Sequence, residues 1–348
     1  MQQKKYTRIL VIRLDRIGDI LLSTPVLEAL RSAYPQSYIA MMIAPHARPI
    51  VEGNPYINDF IIYDKEGPQW SFWNTLKFAL SLRKQKFDTA IILHPSCRSH
   101  IIAFLAGIPK RIGYNKKFGF LLTHKLMDNK RLGLKHESAY ALDSLRVLGA
   151  GAKTKPKLYF PIRQEDERTI TKFLASMGVR ATDSIVVVHP GASCSSKKWL
   201  TERFAEVAEK LSCEYKVKIV IVSGDEDAPL CEEIERAMKT KAISLAGKTS
   251  LGELAALLKR SKLFISNDSG PVHVAVAVQT PVISIFGRKQ PGLGPRRWGP
   301  LGEKDIALHK DVGCAECKAH NCTLQFKCLK AITVTEVLAA ARKILNEK

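Results

Sequence analysis

Short apolar runs alternate with amphipathic stretches along most of the chain. Residues 8–14 (RILVIRL) read as a strand, and its nearly continuous hydrophobicity suits a strand covered on both faces of a parallel sheet. The polar turn Asp15–Arg16–Ile17–Gly18–Asp19 then leads into one helix, carrying Ile20, Leu21, Leu22, Val26, Leu27 and Leu30 and ending near Tyr34–Pro35. Strands are predicted at 38–44, 59–63 and 89–93, with helices at 72–82, 101–105 and 137–148; residues 107–114 carry Lys110, Arg111 and Gly113.

The stretch 149–164, rich in Lys, Pro and small residues, reads as a linker, after which the alternation restarts. Helices are predicted at 166–177, 201–211, 228–238, 251–259 and 272–278. Strands are predicted at 184–189, 218–223, 242–245, 263–266 and 281–286. Alternating strands and helices mean a parallel, doubly wound sheet. The expected fold is therefore α/β, with two Rossmann-like domains facing a cleft: 1–160, then 161–330. A C-terminal helix follows within 331–348, opened by Thr333 and Glu336 as a capping box. It is expected to pack across both domains.

Composition narrows the class. The 348 residues are 46% hydrophobic and 25% charged, as in soluble globular chains. No apolar run reaches the ~18 residues a membrane span needs, and the N-terminus lacks a signal-peptide pattern. The expected location is therefore cytoplasmic. The formal net charge is +21, and it is uneven. Residues 1–160 hold 25 basic and 11 acidic side chains (+14), and 161–348 hold 29 and 22 (+7). The first half should face a polyanion or an anionic surface. Nucleic-acid signatures are missing, so no nucleic-acid partner is expected. An anionic membrane or an acidic lipid-linked substrate accounts for the charge.

Four of eight cysteines cluster as Cys314-x2-Cys317-x4-Cys322-x5-Cys328. Such a spacing suits a structural metal or reduced thiols, and it matches no common zinc module.

Three loops that follow strand ends carry the candidate chemistry. In the first, Gly18–Asp19 sets a carboxylate at a helix start, where the dipole is expected to lower its pKa; it would accept a proton from a bound hydroxyl. Asp15 is a second candidate. The next, HPGASCSSKKW (189–199), offers amides, hydroxyls and Lys197, a set suited to a pyrophosphate. In the third, SNDSGPVH (266–273), Ser269 caps a helix whose free N–H groups favour an anion, with His273 one turn in. An ordinary capped helix would read the same way. Gly-x-Gly-x-x-Gly, Walker, His-Glu-x-x-His and Gly-x-Ser-x-Gly patterns are absent.

The segments RILVIRLDRIGDILLSTPVLEALRSAYP, HPGASCSSKKWLTERFAEVA and ISNDSGPVHVAVAVQTPVISIFG resemble glycosyltransferase family 9, the ADP-heptose:lipopolysaccharide heptosyltransferases. The resemblance spans nearly the whole chain. It implies a GT-B fold with an N-terminal acceptor domain and a C-terminal nucleotide-sugar domain. It also implies inverting, metal-independent transfer of heptose from ADP-heptose to the Kdo/heptose inner core on lipid A, with no cofactor, by an enzyme peripherally attached to the inner membrane.

By position, Asp19 matches the family's catalytic base and Lys197 its donor-phosphate lysine. Asp268, Ser269, Gly270 and His273 match its donor-binding motif. Ser193 falls near the hydroxyl residues accompanying the lysine, and Glu226 and Glu232 both fit the acid that contacts the nucleoside. Arg98, Lys110 and Arg111 are the candidates for holding an anionic acceptor. Two rival readings are a GT-B enzyme using another nucleotide sugar and a non-catalytic nucleotide- or polyanion-binding protein.

Overall fold

The computed structural model describes residues 6–151 and 155–347. The chain divides into two compact units, Met1–Arg131 with Lys135–Pro161, and Leu132–Leu134 with Ile162–Lys348. Each is built on a six-stranded parallel sheet.

In the first unit the strands are β1 (Arg8–Ile12), β2 (Tyr38–Ile43), β3 (Asp59–Ile62), β4 (Thr89–Ile92), β5 (Lys110–Tyr114) and β6 (His124–Leu126). Their order is β3-β2-β1-β4-β5-β6. The chain winds outward from β1 to β3, then crosses back to β4, so the winding reverses between β1 and β4. Open parallel sheets bind ligands at the carboxyl ends of the strands flanking such a reversal. Leu10, Ile12, Met42, Ala90 and Ile92 pack beneath it in a core with Tyr63, Leu82 and Ile102.

The second unit repeats the plan with β7 (Ile185–His189), β8 (Lys218–Ile221), β9 (Ala242–Ser244), β10 (Leu263–Asn267), β11 (Val282–Phe286) and β12 (Ile306–His309). The order is β12-β11-β10-β7-β8-β9, so here the reversal lies between β7 and β10, where His189 pairs with Ser266. The final helix, Val334–Asn346, opens with the expected Thr333–Glu336 capping box. It sends Val337, Leu338, Ala341 and Ile344 into the core formed by Val186, Ile219, Ile265 and Ile283. Among the described residues no helix is long and apolar enough to cross a membrane.

Several elements differ from the sequence expectation. The helix expected through Leu30 is two helices, Ile17–Leu21 and Thr24–Ala33. Pro25 stands in the first turn of the second helix, where a missing N–H costs nothing. The Ser23 hydroxyl donates to the Asp19 carbonyl at 2.8 Å at the break. Strands β5, β6 and β12 lie in segments where no strand is predicted; they are short and carry Lys110, Arg111, His124 and His309, so their apolar periodicity is weak. The helix at 137–148 stops at Asp143, and a separate turn, Arg146–Leu148, closes on Gly149 at φ +69°. The expected linker 149–164 includes 152–154, which lie outside the described residues; beyond them Leu158 and Phe160 are buried.

Candidate active site

At the reversal of the first sheet, the residue after β1 is Arg13, only 2% exposed. Its backbone N–H donates to the Met42 carbonyl at 3.0 Å, extending the β1–β2 ladder and fixing where the side chain starts. The planar guanidinium then serves three carboxylates. Nε donates to Asp15 Oδ1 at 2.7 Å, Nη2 to Asp19 Oδ1 at 2.7 Å and Nη1 to Glu137 Oε1 at 3.3 Å. Lys130 Nζ adds a second cation on Glu137 at 2.9 Å, and His94 Nδ1 stands 3.2 Å from Asp15 Oδ2. A rigid fork of donors suits this role where a flexible ammonium would not.

Burial works against the charge of Arg13, but Asp15, Glu137 and Asp19 outweigh it and hold its pKa above the ordinary value. Asp19 behaves in the opposite way from the sequence expectation. Burial, then repulsion by Asp15, raises its pKa to about 6, although Arg13 pulls it down. The helix it starts, Ile17–Leu21, has only five residues, too few for its dipole to offset that desolvation. A carboxylate poised near neutrality, held by one guanidinium, is a competent proton acceptor. Burial likewise keeps His94 below the usual histidine range against the pull of Asp15.

Among the described residues none of the three candidate acceptor cations pairs with Asp19. Arg98 Nη2 donates to the Trp70 carbonyl at 2.8 Å and Nη1 to that of Gln69 at 3.3 Å, which pins the turn before the helix Phe72–Arg83. Lys110 pairs in register with Thr89 at the amino end of β4, the far end of the sheet from Asp19, and its ammonium reaches the Tyr6 hydroxyl. The Arg111 side chain donates to the carbonyls of Leu121 and Ile108 at 2.7 and 2.5 Å and lies over the Phe104 ring.

In the second unit the two expected anion loops come together at the reversal. Asn267, the last residue of β10, donates from Nδ2 to the Pro190 carbonyl at 2.7 Å. Its Oδ1 accepts from the Trp199 N–H at 3.0 Å. One amide thus ties both ends of the loop 190–199 to the strand that leads into Asp268. Lys197 Nζ lies 2.9 Å from Asp268 Oδ2, and Arg288 Nη2 donates to the same oxygen at 3.0 Å. Asp268 is 6% exposed. Two cations on one buried carboxylate leave local positive charge. Arg288 Nε is buried without a hydrogen-bond partner among the described residues, a donor still to be satisfied.

Ser269 and Gly270 open the helix Gly270–Ala277, but Ser269 does not cap it. Its hydroxyl instead lies 2.9 Å from Ser266 Oγ and 3.4 Å from His189 Nδ1, leaving the first-turn N–H groups without that cap. His189, buried at the end of β7, has its pKa lowered to about 4 by burial, so it is neutral at physiological pH. His273 is buried on the first turn, and Ser193 is exposed at the loop tip. Glu226 lies in the turn Asp225–Asp227 just beyond β8, and Glu232 on the next helix, Ala228–Ala237. Arg288 and His189 are the residues that sequence reading missed. Arg288 lies just past the apolar strand β11 with no motif around it, whereas His189 opens the very loop whose later residues drew notice.

The four clustered cysteines border one cavity of about 300 Å³, with Arg288 and Ser196 also on its wall. Burial pushes the Cys317 thiol up, but the N–H groups of Ala319, Lys289 and Gln290 bring it below its ordinary value. Among the described residues no group of three or more His, Cys, Asp or Glu side chains is placed to hold a metal ion.

Two Rossmann-like units are the architecture of the GT-B fold of glycosyltransferases, and solved structures match the chain almost end to end. A glycosyl transferase family 9 protein from Veillonella parvula is 30% identical with a TM-score of 0.90, covering 99% of this chain and 98% of that one. The ADP-heptose lipopolysaccharide heptosyltransferase II of E. coli shares the fold at a TM-score of 0.77 and 24% identity, covering 98% and 99%. The profile of glycosyltransferase family 9 (heptosyltransferase) matches residues 75–327, and the chain belongs to that family. Among its relatives, lipopolysaccharide heptosyltransferase 2 of Salmonella typhimurium is 26% identical over 98% of this chain and 99% of its own length. Lipopolysaccharide heptosyltransferase 3 of Escherichia coli is 28% identical over 95% and 96%.

Proposed function

We propose that the protein transfers a heptose from ADP-heptose to the inner core of a lipid A-linked oligosaccharide, with inversion and without a metal ion, at the inner face of the cytoplasmic membrane. The observation that carries the donor assignment is the convergence of Lys197 and Arg288 on Asp268 beside the uncapped helix Gly270–Ala277. The positive charge there and the start of a helix without a side-chain cap suit the diphosphate of a nucleotide sugar. Relatives along nearly the whole chain are named lipopolysaccharide heptosyltransferases, which supports heptose as the sugar and the lipopolysaccharide core as the acceptor.

In this reading Asp19 takes the proton of an acceptor hydroxyl. The oxygen so activated attacks the anomeric carbon from the face opposite the diphosphate. The bond from that carbon to the diphosphate oxygen breaks, and ADP departs with the electron pair. Lys197, Arg288 and the amides of Ser269 and Gly270 offset the charge that develops on it. Ser193 and His273 line the same donor motif. Arg13 holds Asp19 in place, and burial, with Asp15 beside it, keeps its pKa high enough to accept a proton near neutrality.

The test is incubation with ADP-heptose and a Kdo–lipid A acceptor, with and without EDTA, followed by mass analysis. Addition of one heptose mass, unchanged by EDTA, is the expected product. Turnover with a UDP-sugar and none with ADP-heptose would overturn the donor, and nucleotide binding without transfer to any acceptor would overturn the enzyme reading.

A further inference from the structure

The helix Phe72–Arg83 and the turn before it carry large hydrophobic side chains that are exposed among the described residues. Trp70, Phe72 and Trp73 are 69%, 63% and 69% exposed, and Leu80 is exposed as well. On the helix, Trp73, Leu76 and Leu80 recur at steps of three and four residues, so they share one stripe. The opposite side, Thr75, Ala79 and Leu82, is buried. Surface tryptophans at such density are unusual in a soluble domain.

Two further observations say what covers this stripe. The first is charge. Residues 65–86 contain five basic side chains (Lys65, Lys77, Arg83, Lys84, Lys86) and one acid, Glu66. Lys77 and Lys84 flank the stripe, are exposed and form no ion pair among the described residues. The second is rigidity. The Ser71 hydroxyl caps the helix, accepting from the Asn74 N–H at 3.2 Å, and Asn74 Nδ2 donates to the Pro68 carbonyl at 2.7 Å. The Arg98 bonds to the Gln69 and Trp70 carbonyls hold the preceding turn. The aromatics are therefore presented by a braced support.

We infer that this face is a bilayer-docking surface, in which Trp70, Phe72, Trp73 and Leu80 enter the headgroup region of an anionic membrane while Lys77 and Lys84 meet its phosphates. Exposed Trp and Phe at the start of a helix, with Lys beside its Trp73–Leu80 stripe, match the chemistry of an interfacial helix, apolar below and cationic at the level of the phosphates. The inference deepens the proposed function and rests on its lipid-linked acceptor, since an enzyme acting on such a substrate gains from two-dimensional search.

The test uses the full chain and vesicles rich in phosphatidylglycerol, with vesicles of phosphatidylcholine alone for comparison. The wild-type chain is expected to sediment with the anionic vesicles, to be released by high salt and to show a blue-shifted tryptophan emission. The triple variant Trp70→Ala, Phe72→Ala, Trp73→Ala should lose about tenfold or more of that partition with unchanged thermal stability and ADP affinity. Lys77→Glu with Lys84→Glu should lose a similar factor on anionic vesicles only. Wild-type binding to neither vesicle, equal sedimentation of the triple variant, or self-association that the triple variant abolishes while vesicle binding persists would each overturn the inference. If the vesicle results hold but no heptose is transferred, the proposed function fails and the docking surface stands.

Discussion

Arg13 Nη2 donates to Asp19 at 2.7 Å from a guanidinium that is 2% exposed, and the same group also holds Asp15 and Glu137. The candidate base is thus positioned by a residue only six places earlier in the chain, which stands just past β1, where the winding reverses.

Asp19→Asn should lower kcat by about a thousandfold, within the range for removal of a general base, while ADP affinity stays close to wild type. Its stability should move the other way. A folded pKa near 6 lies above the ordinary carboxylate value, so the native state binds the extra proton between pH ~4 and ~6. Stability from this group therefore falls as pH rises through that window. Asparagine, which mimics the protonated form, should raise stability at pH 7.5 by about 1 kcal/mol. Urea titrations of both proteins would check it; a destabilised Asn variant would contradict the crowding of Asp19.

The pH profile of kcat/KM should rise with pH and level off above about 6, because the base works only deprotonated. Asp15→Asn removes the main repelling charge, so the acidic limb should shift to lower pH. A limb that stays in place would assign it to another group.

Lys197→Ala and Arg288→Ala should each weaken ADP binding and lower kcat by about a hundredfold, the usual effect of losing one charge-stabilising donor. Because both act on the one Asp268 oxygen, the double variant should show less than the product of the two effects. Calorimetric ADP titration of the three variants measures this directly.

Arg13→Met strands three carboxylates around one apolar side chain and should cost about 3–5 kcal/mol. Adding Glu137→Gln should restore part of that loss. Equal destabilisation with and without the second substitution would show that the pairing with Glu137 contributes little.

The alternation of strands and helices was legible because buried parallel strands are nearly all apolar, as in IVVVH at Ile185–His189. The loops that carry Asp19, Lys197 and Asp268 were legible because each is a polar segment that follows such a strand. What escaped reading lacked that contrast. Strands β5, β6 and β12 lie at or next to a sheet edge and carry polar side chains. Arg288 is one arginine among many, given meaning only by the pairing of β10 and β11, which brings it beside Asp268. The raised pKa of Asp19 depends on burial and on Asp15, and neither shows in a helix-start pattern. That Arg98 braces the turn before the helix Phe72–Arg83 was not legible, because charge alone does not show which carbonyls a guanidinium reaches.

Each six-stranded sheet closes its own core, one from Leu10 to Leu122 and the other from Val186 to Ile344. Cooperativity is set by shared packing, so melting need not be a single event. A calorimeter trace should resolve into two overlapping endotherms, and saturating ADP should move only the one belonging to the Lys197–Asp268 half, by an amount that grows with the logarithm of nucleotide concentration. The duplicated architecture would then give an internal standard: one half of the molecule reports on the nucleotide while the other keeps the temperature scale.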